Sequence, residues 1–156
     1  MKKLLNSLVV LVMVAGCNGN QEDAARAKIE AEAQAARIKL EGTKERLTTT
    51  LTHLGFPAPT ELKEDSWIQT SATSDTAPNG VVGIVNLPGY DRCRVIIGTR
   101  YDKPEVWLQK VEFPVKDVPS TLGMEHPARD FPANPKPTDV TTWFKSNARL
   151  TKQCTP

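Results

Sequence analysis

Apolar residues in the first third of the chain recur with the period of an amphipathic helix. Residues 21–54 are rich in Ala, Glu, Lys, Arg and Gln, which favour helices. The spacing predicts a helix over this range, about 50 Å long if it is continuous, and Gly42 predicts a break or hinge within it. Spacings of four and three residues alternate, as in a heptad repeat, through Ile29, Ala33, Ala36, Leu40, Thr43, Leu47, Thr50 and Leu54.

Two interpretations of this helix remain open. The apolar stripe could pair with a second copy as a coiled coil, which predicts self-association through residues 22–54. Alternatively the helix is monomeric, and Leu47, Leu51 and Leu54 pack on a folded domain. Two alanines and two threonines in the stripe limit the area that pairing would bury, which favours the monomeric helix.

The apolar pattern changes period after residue 55. A short helical turn is expected over residues 60–65, followed by strands rich in apolar and β-branched residues. Short turns at residues 88–91 and 102–104 predict an antiparallel meander. In the last strand, Trp107, Val111 and Phe113 are expected on one face. The four predicted strands cover residues 67–73, 80–87, 92–98 and 106–113.

The end of the chain combines a proline-rich stretch with a short helix. Six prolines between Pro114 and Pro137 exclude regular structure from most of that stretch. Asp139 is expected to cap a helix over residues 140–150, which would lie across the sheet. The predicted fold class is α+β: a long N-terminal helix, an antiparallel sheet of about four strands, a proline-rich loop and a short C-terminal helix.

The N-terminus has the features of an export signal. Lys2 and Lys3 precede an apolar run over residues 4–14, which is too short to cross a hydrocarbon layer of about 30 Å. A basic start, a short apolar run and small residues are typical of a secretory signal peptide. The run ends in the sequence Val14-Ala15-Gly16-Cys17.

These four residues resemble the lipobox of bacterial lipoprotein precursors: an aliphatic residue, two small residues and a cysteine. The resemblance implies diacylglycerol transfer to the Cys17 sulfur, cleavage before Cys17 and acylation of the new N-terminus, and hence attachment to a membrane. Asn18 stands where an Asp favours inner-membrane retention, so the periplasmic face of the outer membrane is the favoured location. An ordinary signal peptide, or an uncleaved anchor that happens to contain a cysteine, is the alternative.

Composition divides the chain into three segments. All aromatic residues and all prolines lie from Phe56 onward. We therefore expect a signal peptide over residues 1–16, a lipidated cysteine with a helical tether over residues 17–55, and a small α+β domain over residues 56–156. The chain has 20 Lys and Arg against 18 Asp and Glu, so it lacks the basic excess of most nucleic-acid-binding proteins.

The three cysteines can be assigned once Cys17 is taken as lipidated. Cys93 and Cys154 remain, and an oxidising compartment favours a disulfide between them. Two thiols without neighbouring His or Cys residues make a poor zinc site, and a buried free thiol at Cys93 is a further alternative. We expect neither a metal nor a cofactor.

Sequence motifs of catalysis are absent from the chain: there is no glycine-rich phosphate loop, no G-x-S-x-G and no H-E-x-x-H. His53 is expected to be a partly exposed helix residue. One local group combines an acid, a base and a cation, namely Glu125, His126, Arg129 and Asp130. Solvated loop charges are far more common than catalytic sets, so we expect no enzyme and no catalytic residue.

The sequence therefore predicts a non-catalytic module that binds a protein or a wall component from a lipid anchor. Its expected contact surface is the loop over residues 123–136 together with Tyr90, Arg92 and Arg94. An inhibitor or immunity lipoprotein against a wall-attacking enzyme would use the same loop. An accessory lipoprotein of a secretion, conjugation or phage lysis system would instead use its helix as the contact.

Overall fold

The computed structural model describes the backbone of residues 5–65, 79–90, 92–115, 121–127 and 131–154, and the side chains of those from residue 21 onward. It has the predicted α+β architecture, with two short C-terminal helices and five described strands. The strands follow one another across the sheet in chain order, each antiparallel to its neighbour. The elements are α1 Leu5–Leu54, β1 Glu61–Asp65, β2 Gly80–Val85, β3 Arg94–Arg100, β4 Val106–Pro114, β5 Leu122–Glu125, α2 Pro137–Ser146 and α3 Ala148–Cys154.

The chain forms two compact units, Met1–Lys39 and Leu40–Pro156. In the first unit every side chain of residues 21–39 is exposed, including Ile29 at 65% and Ile38 at 63%. Lys28 and Glu32 lie one turn apart, with 4.0 Å between Nζ and Oε1. Among the described residues, no helix has an apolar stretch long enough to cross a membrane.

The second unit has one main core, on one face of the sheet. The last turns of α1 contribute to it as one of the two interpretations predicts: Leu47 and Leu51 are fully buried, and Leu54 packs against the cluster. Self-association through residues 22–54 remains a prediction, but the last part of that stripe is already covered by the domain. The strands and C-terminal helices complete the core with Val81, Val85, Val95, Ile97, Val106, Leu108, Val111, Phe113, Val140, Phe144 and Leu150.

The predicted break at Gly42 is wrong, because α1 continues through this residue. A glycine costs a helix only about 1 kcal/mol relative to alanine. On the C-terminal side of Gly42, the buried side chains of Thr43 and Leu47 hold the helix against the domain. Packing on this side outweighs the local preference of one residue.

The helical turn predicted over residues 60–65 is wrong: Glu61–Asp65 form strand β1, and Thr60 precedes it. Leu62 lies opposite Gly83 of β2, and Thr60 donates its backbone N–H to the Ile84 carbonyl at 2.8 Å. Pairing with a buried strand therefore decides the conformation of a segment that is polar and short. The predicted strand over residues 67–73 lies outside the described residues.

The C-terminal helix differs from prediction in its start and its continuity. It begins at Pro137, and Asp139 lies inside its first turn, where its carboxylate accepts the backbone N–H of Lys136 at 2.7 Å. At Asn147 the helix ends, and the Asn147 side chain accepts the N–H of Leu150 at 3.2 Å at the start of α3.

The predicted disulfide between Cys93 and Cys154 is present, across a sequence separation of 61 residues. Both cysteines are buried and belong to the main core. The bond joins the connection between β2 and β3 to the last residue of α3. It therefore holds the C-terminal helix against the domain near the point where the chain would otherwise fray.

Candidate partner-binding face

The sheet has a second face, opposite the main core, which we call the outer face. Side chains alternate along each strand, so the outer residues are those between the core residues. Val82, Ile84 and Ile96 form a separate buried cluster there. Strand register places the remaining outer residues around this cluster, and they include Glu61, Arg94, Lys110, Glu112, Leu122 and Met124.

One outer-face prediction needs correction. Trp107 was expected beside Val111 and Phe113, but it is only partly buried and lies outside the main core. The pairing of β3 with β4 slips between Ile96 and Ile97. β4 has one extra residue at this bulge, Gln109. The side chains on the two sides of the bulge are therefore out of phase, and Trp107 lies on the outer face, whereas regular alternation predicts the core face.

Arg94 is held in a chain of ion pairs across three strands. Its guanidinium nitrogens lie 3.6 Å from a carboxylate oxygen of Glu61 and 3.5 Å from one of Glu112. Glu112 also contacts Lys110 at 3.1 Å. Arg94 faces Glu112 of the neighbouring strand β4 directly in the register, and Glu61 reaches it from β1, on the far side of β2. Its charge is therefore largely compensated within the molecule.

The other predicted residues of this surface occupy different environments. Tyr90 is buried, with 8% of its surface exposed, and its ring stacks on Phe144 with 4.5 Å between centroids. Its ring is thus part of the core rather than the surface. Arg92 is exposed in the connection before β3, which begins two residues later at Arg94.

The predicted group of ionisable loop residues is divided in the structure. Glu125 ends β5 and its carboxylate lies 3.5 Å from the guanidinium of Arg149 on α3. His126 is exposed, and its Nδ1 lies 3.2 Å from the backbone oxygen of Gln109. Arg129 and Asp130 lie outside the described residues. Glu125 and His126 are thus each held by a different element of the fold.

No group of three or more His, Cys, Asp or Glu side chains that could hold a metal occurs in the described ranges. One titratable group outside the outer face is strongly shifted. Tyr101 donates its hydroxyl hydrogen to a carboxylate oxygen of Glu64. Burial, this hydrogen bond and the negative charge of Glu64 raise the pKa of Tyr101 to about 12. The arrangement stabilises a protonated tyrosine and joins the β3–β4 turn to β1.

Among the described residues of the domain, the large exposed apolar side chains lie on β5. Leu122 and Met124 are 47% and 53% exposed, and both lie on the outer face at the edge of the sheet. The Lys110 ammonium lies 3.8 Å from the Met124 sulfur. The sequence analysis assigned no strand here because Pro119 and Pro127 flank the segment. Between these prolines, Leu122 and Met124 alternate with Gly123, which is the pattern that could have indicated a strand.

Gly123 lets β5 pack closely on β4. A Cβ at this position would lie 2.7 Å from Cζ of the Phe113 ring and closer still to Cε2. Phe113 is almost fully buried, and the Arg149 guanidinium lies over its ring at 5.2 Å. The absence of a side chain at Gly123 therefore sets how β5 lies against the sheet.

In comparisons with known proteins, no protein-family model, curated protein or solved structure matches this chain. Its function is therefore inferred from its own residues. The features available are the lipobox-like segment, the buried disulfide, the ion-paired strands of the outer face and the exposed apolar pair on β5.

Proposed function

We propose that the chain is a lipid-anchored bacterial envelope protein whose domain binds another protein or a wall component without catalysing a reaction. The observation that carries the anchor is Val14-Ala15-Gly16-Cys17 at the end of a short apolar run. Acylated Cys17 would hold the chain on the membrane, because each buried CH₂ contributes about 0.8 kcal/mol. Asn18 favours the periplasmic face of the outer membrane.

A second feature supports export independently of the N-terminus. The bond between Cys93 and Cys154 would form and persist in an oxidising compartment such as the periplasm. Both cysteines are buried in the core, so the folded domain includes a disulfide bond that the reducing cytosol disfavours. An exported, anchored protein accounts for all three cysteines.

For binding, the apolar surface at β5 is the best-supported contact. Large exposed apolar residues that lie together mark interaction sites more often than those scattered singly. Leu122 and Met124 lie on one edge strand and one face, and the exposed His126 follows two residues after Met124. Since Arg94 is compensated by Glu61 and Glu112, apolar contact rather than a free cation would provide recognition.

Replacement of the anchor residue tests the first part of this proposal. Cys17→Ser should abolish incorporation of a clickable palmitate analogue and move the chain out of the membrane fraction. The matched control is a chain with Cys93→Ser and Cys154→Ser, which retains only Cys17 and should still be labelled. A Cys17→Ser chain that is labelled and remains membrane-bound would refute lipid anchoring.

A photo-reactive amino acid placed on each surface tests the second part. A cross-linker at Leu122 should capture an envelope component distinct from the chain itself, identified by mass spectrometry. The same cross-linker at Lys152, an exposed residue of α3, serves as the control and should capture much less. If capture occurs only from Ile29 on the exposed part of α1, the tether rather than the domain is the contact.

A further inference from the structure

Within the described parts of the chain, one edge of β5 presents backbone groups without a partner strand, beside its exposed apolar side chains. Val115 donates its N–H to the Thr121 carbonyl at 3.1 Å, which makes these two residues a hydrogen-bonded pair. In an antiparallel ladder bonded and non-bonded pairs alternate, so Leu122 and Met124 form the non-bonded pairs with β4. Their N–H and C=O groups therefore point away from the sheet, and β5 is its edge among the described strands.

We propose that this edge pairs with the β5 edge of a second copy, antiparallel and across a two-fold axis that passes through Gly123. Both edge strands then exchange backbone hydrogen bonds through Leu122 of one copy and Met124 of the other. The two sheets join into one continuous sheet. This inference goes beyond the proposed function, since it requires neither lipidation nor an outside partner. Pairing uses the backbone edge of β5, so the outer-face side chains of Leu122 and Met124 remain available to an outside partner, and a cross-linker at Leu122 would capture both that partner and a second copy.

The proposed register is the one that matches the side chains best. It sets Leu122 opposite Met124 on the outer face, where the two copies form a group of four apolar side chains. A shift that pairs Met124 with itself would instead set Leu122 opposite His126. A shift that pairs Leu122 with itself would set Met124 opposite Ser120. Neither shift places Leu122 of one copy opposite Met124 of the other.

The same register keeps like charges apart. On the face towards the helices, the Glu125 carboxylate lies opposite the Thr121 hydroxyl, which can donate a hydrogen bond to it. The two Glu125 carboxylates are four residues apart along the paired strands, which is about 13 Å. Like charges directly opposite each other would destabilise the pair, and this register avoids them.

The contact is small, because each copy contributes a strand of four residues. Interfaces at the low end of the size range are weak and transient in solution. We therefore expect pairing to depend on concentration, and to be strongest when the chains share one membrane surface.

Register-specific disulfide cross-linking in cells tests the proposal with the full chain. Residues 121 and 125 of opposite copies would form a non-hydrogen-bonded pair, whose Cα separation of about 4.5 Å suits a disulfide. A tagged Thr121→Cys chain and a differently tagged Glu125→Cys chain, expressed together, should give a mixed dimer on mild oxidation. Neither variant should form this dimer with itself, and the parent chain controls for cross-linking through Cys17.

A proline at Met124 provides the matched disruption. Because the Met124 N–H points away from β4, Met124→Pro removes a donor of the free edge without breaking the existing ladder. Added to both cysteine variants, it should abolish the mixed dimer, whereas Met124→Ile should preserve it. Retention of the Cys93–Cys154 bond in each variant verifies folding.

Three results would overturn the proposal. The first is absence of the mixed dimer while both variants fold. The second is self-dimers of either cysteine variant that exceed the mixed dimer, which would indicate another register. The third is cross-linking that Met124→Pro leaves unchanged, or that joins the cysteines only to a different protein. Repeating the test in a Cys17→Ser chain separates pairing from lipid anchoring. Weaker cross-linking in that chain would mean that the membrane raises the local concentration, and the preference for the mixed dimer would still report the register.

Discussion

Replacement of Gly123 by alanine should destabilise the domain, although it adds a single methyl group to an edge strand. The new Cβ would lie 2.7 Å from Cζ and 3.0 Å from Cδ2 of the Phe113 ring, whereas carbon atoms in favourable contact are about 3.5–4.0 Å apart. Phe113 cannot easily retreat, because it is 2% exposed. The strand or the ring must therefore move.

The size of the effect follows from two opposing contributions. Overpacking of a core position costs about 1–3 kcal/mol. Alanine also restricts the unfolded chain and recovers about 0.5–1 kcal/mol relative to glycine in a strand. The approach of the Cβ to within 3.0 Å of three ring carbons puts the overpacking cost in the upper part of its range, so we expect a net loss of about 1–2 kcal/mol, or about 4–8 °C in Tm for a domain of this size.

Gly42→Ala is the matched comparison, because it adds the same methyl group inside a helix. Apart from its chain neighbours and the backbone of its own helix, no described atom lies within 4 Å of the added Cβ, so the helix preference should raise stability by about 0.5–1 kcal/mol. Thermal unfolding followed by circular dichroism at neutral pH, with the disulfide intact, measures both variants. An unchanged or raised Tm for Gly123→Ala would refute the claim that Phe113 fixes the position of β5.

Two further predictions concern the disulfide and the partly buried Tyr101. Replacement of both Cys93 and Cys154 by alanine should cost about 4 kcal/mol on the chain-entropy estimate for this separation, measured by urea unfolding; a loss below about 1 kcal/mol would contradict it. Tyr101, with its pKa raised to about 12, should ionise well above the usual tyrosine value of about 10 in an absorbance titration at alkaline pH, and Glu64→Gln should lower its midpoint. Since the folded pKa exceeds the unfolded value of about 10, this contribution to stability is complete below pH 10 and is lost as the pH rises towards 12. A single tyrosine midpoint near 10 in the folded protein would refute this assignment.

The sequence predicts those elements whose side chains carry a long or regular pattern. The charged helical period identifies α1, and the alternation around Val95 and Ile97 identifies β3. The cysteine count, with Cys17 taken as lipidated, predicts the bond between Cys93 and Cys154. In each case a local signal and the tertiary environment agree, which is the condition under which single-sequence reasoning succeeds.

The elements that sequence reasoning misses are decided by neighbours that are distant along the chain. β1 is too polar to stand out, and it is a strand because Leu62 can pack beside Gly83. β5 is hidden between prolines, and its position depends on the fit of Gly123 to Phe113. The bulge that turns Trp107 to the outer face has no local signal in the sequence at all. Pairing partners, rather than propensity, determine all three.

Charge also has a different meaning once the structure is considered. If the signal peptide is removed, Lys2 and Lys3 leave with it, and the remaining basic and acidic residues are equal in number. Bulk attraction to an anionic surface is then absent, and the strand arginine that could provide a local cation, Arg94, is compensated by Glu61 and Glu112. We therefore expect apolar contact to contribute more to recognition than Arg94 does, and β5 is where the described surface offers exposed apolar side chains together with backbone groups that have no partner strand among the described residues.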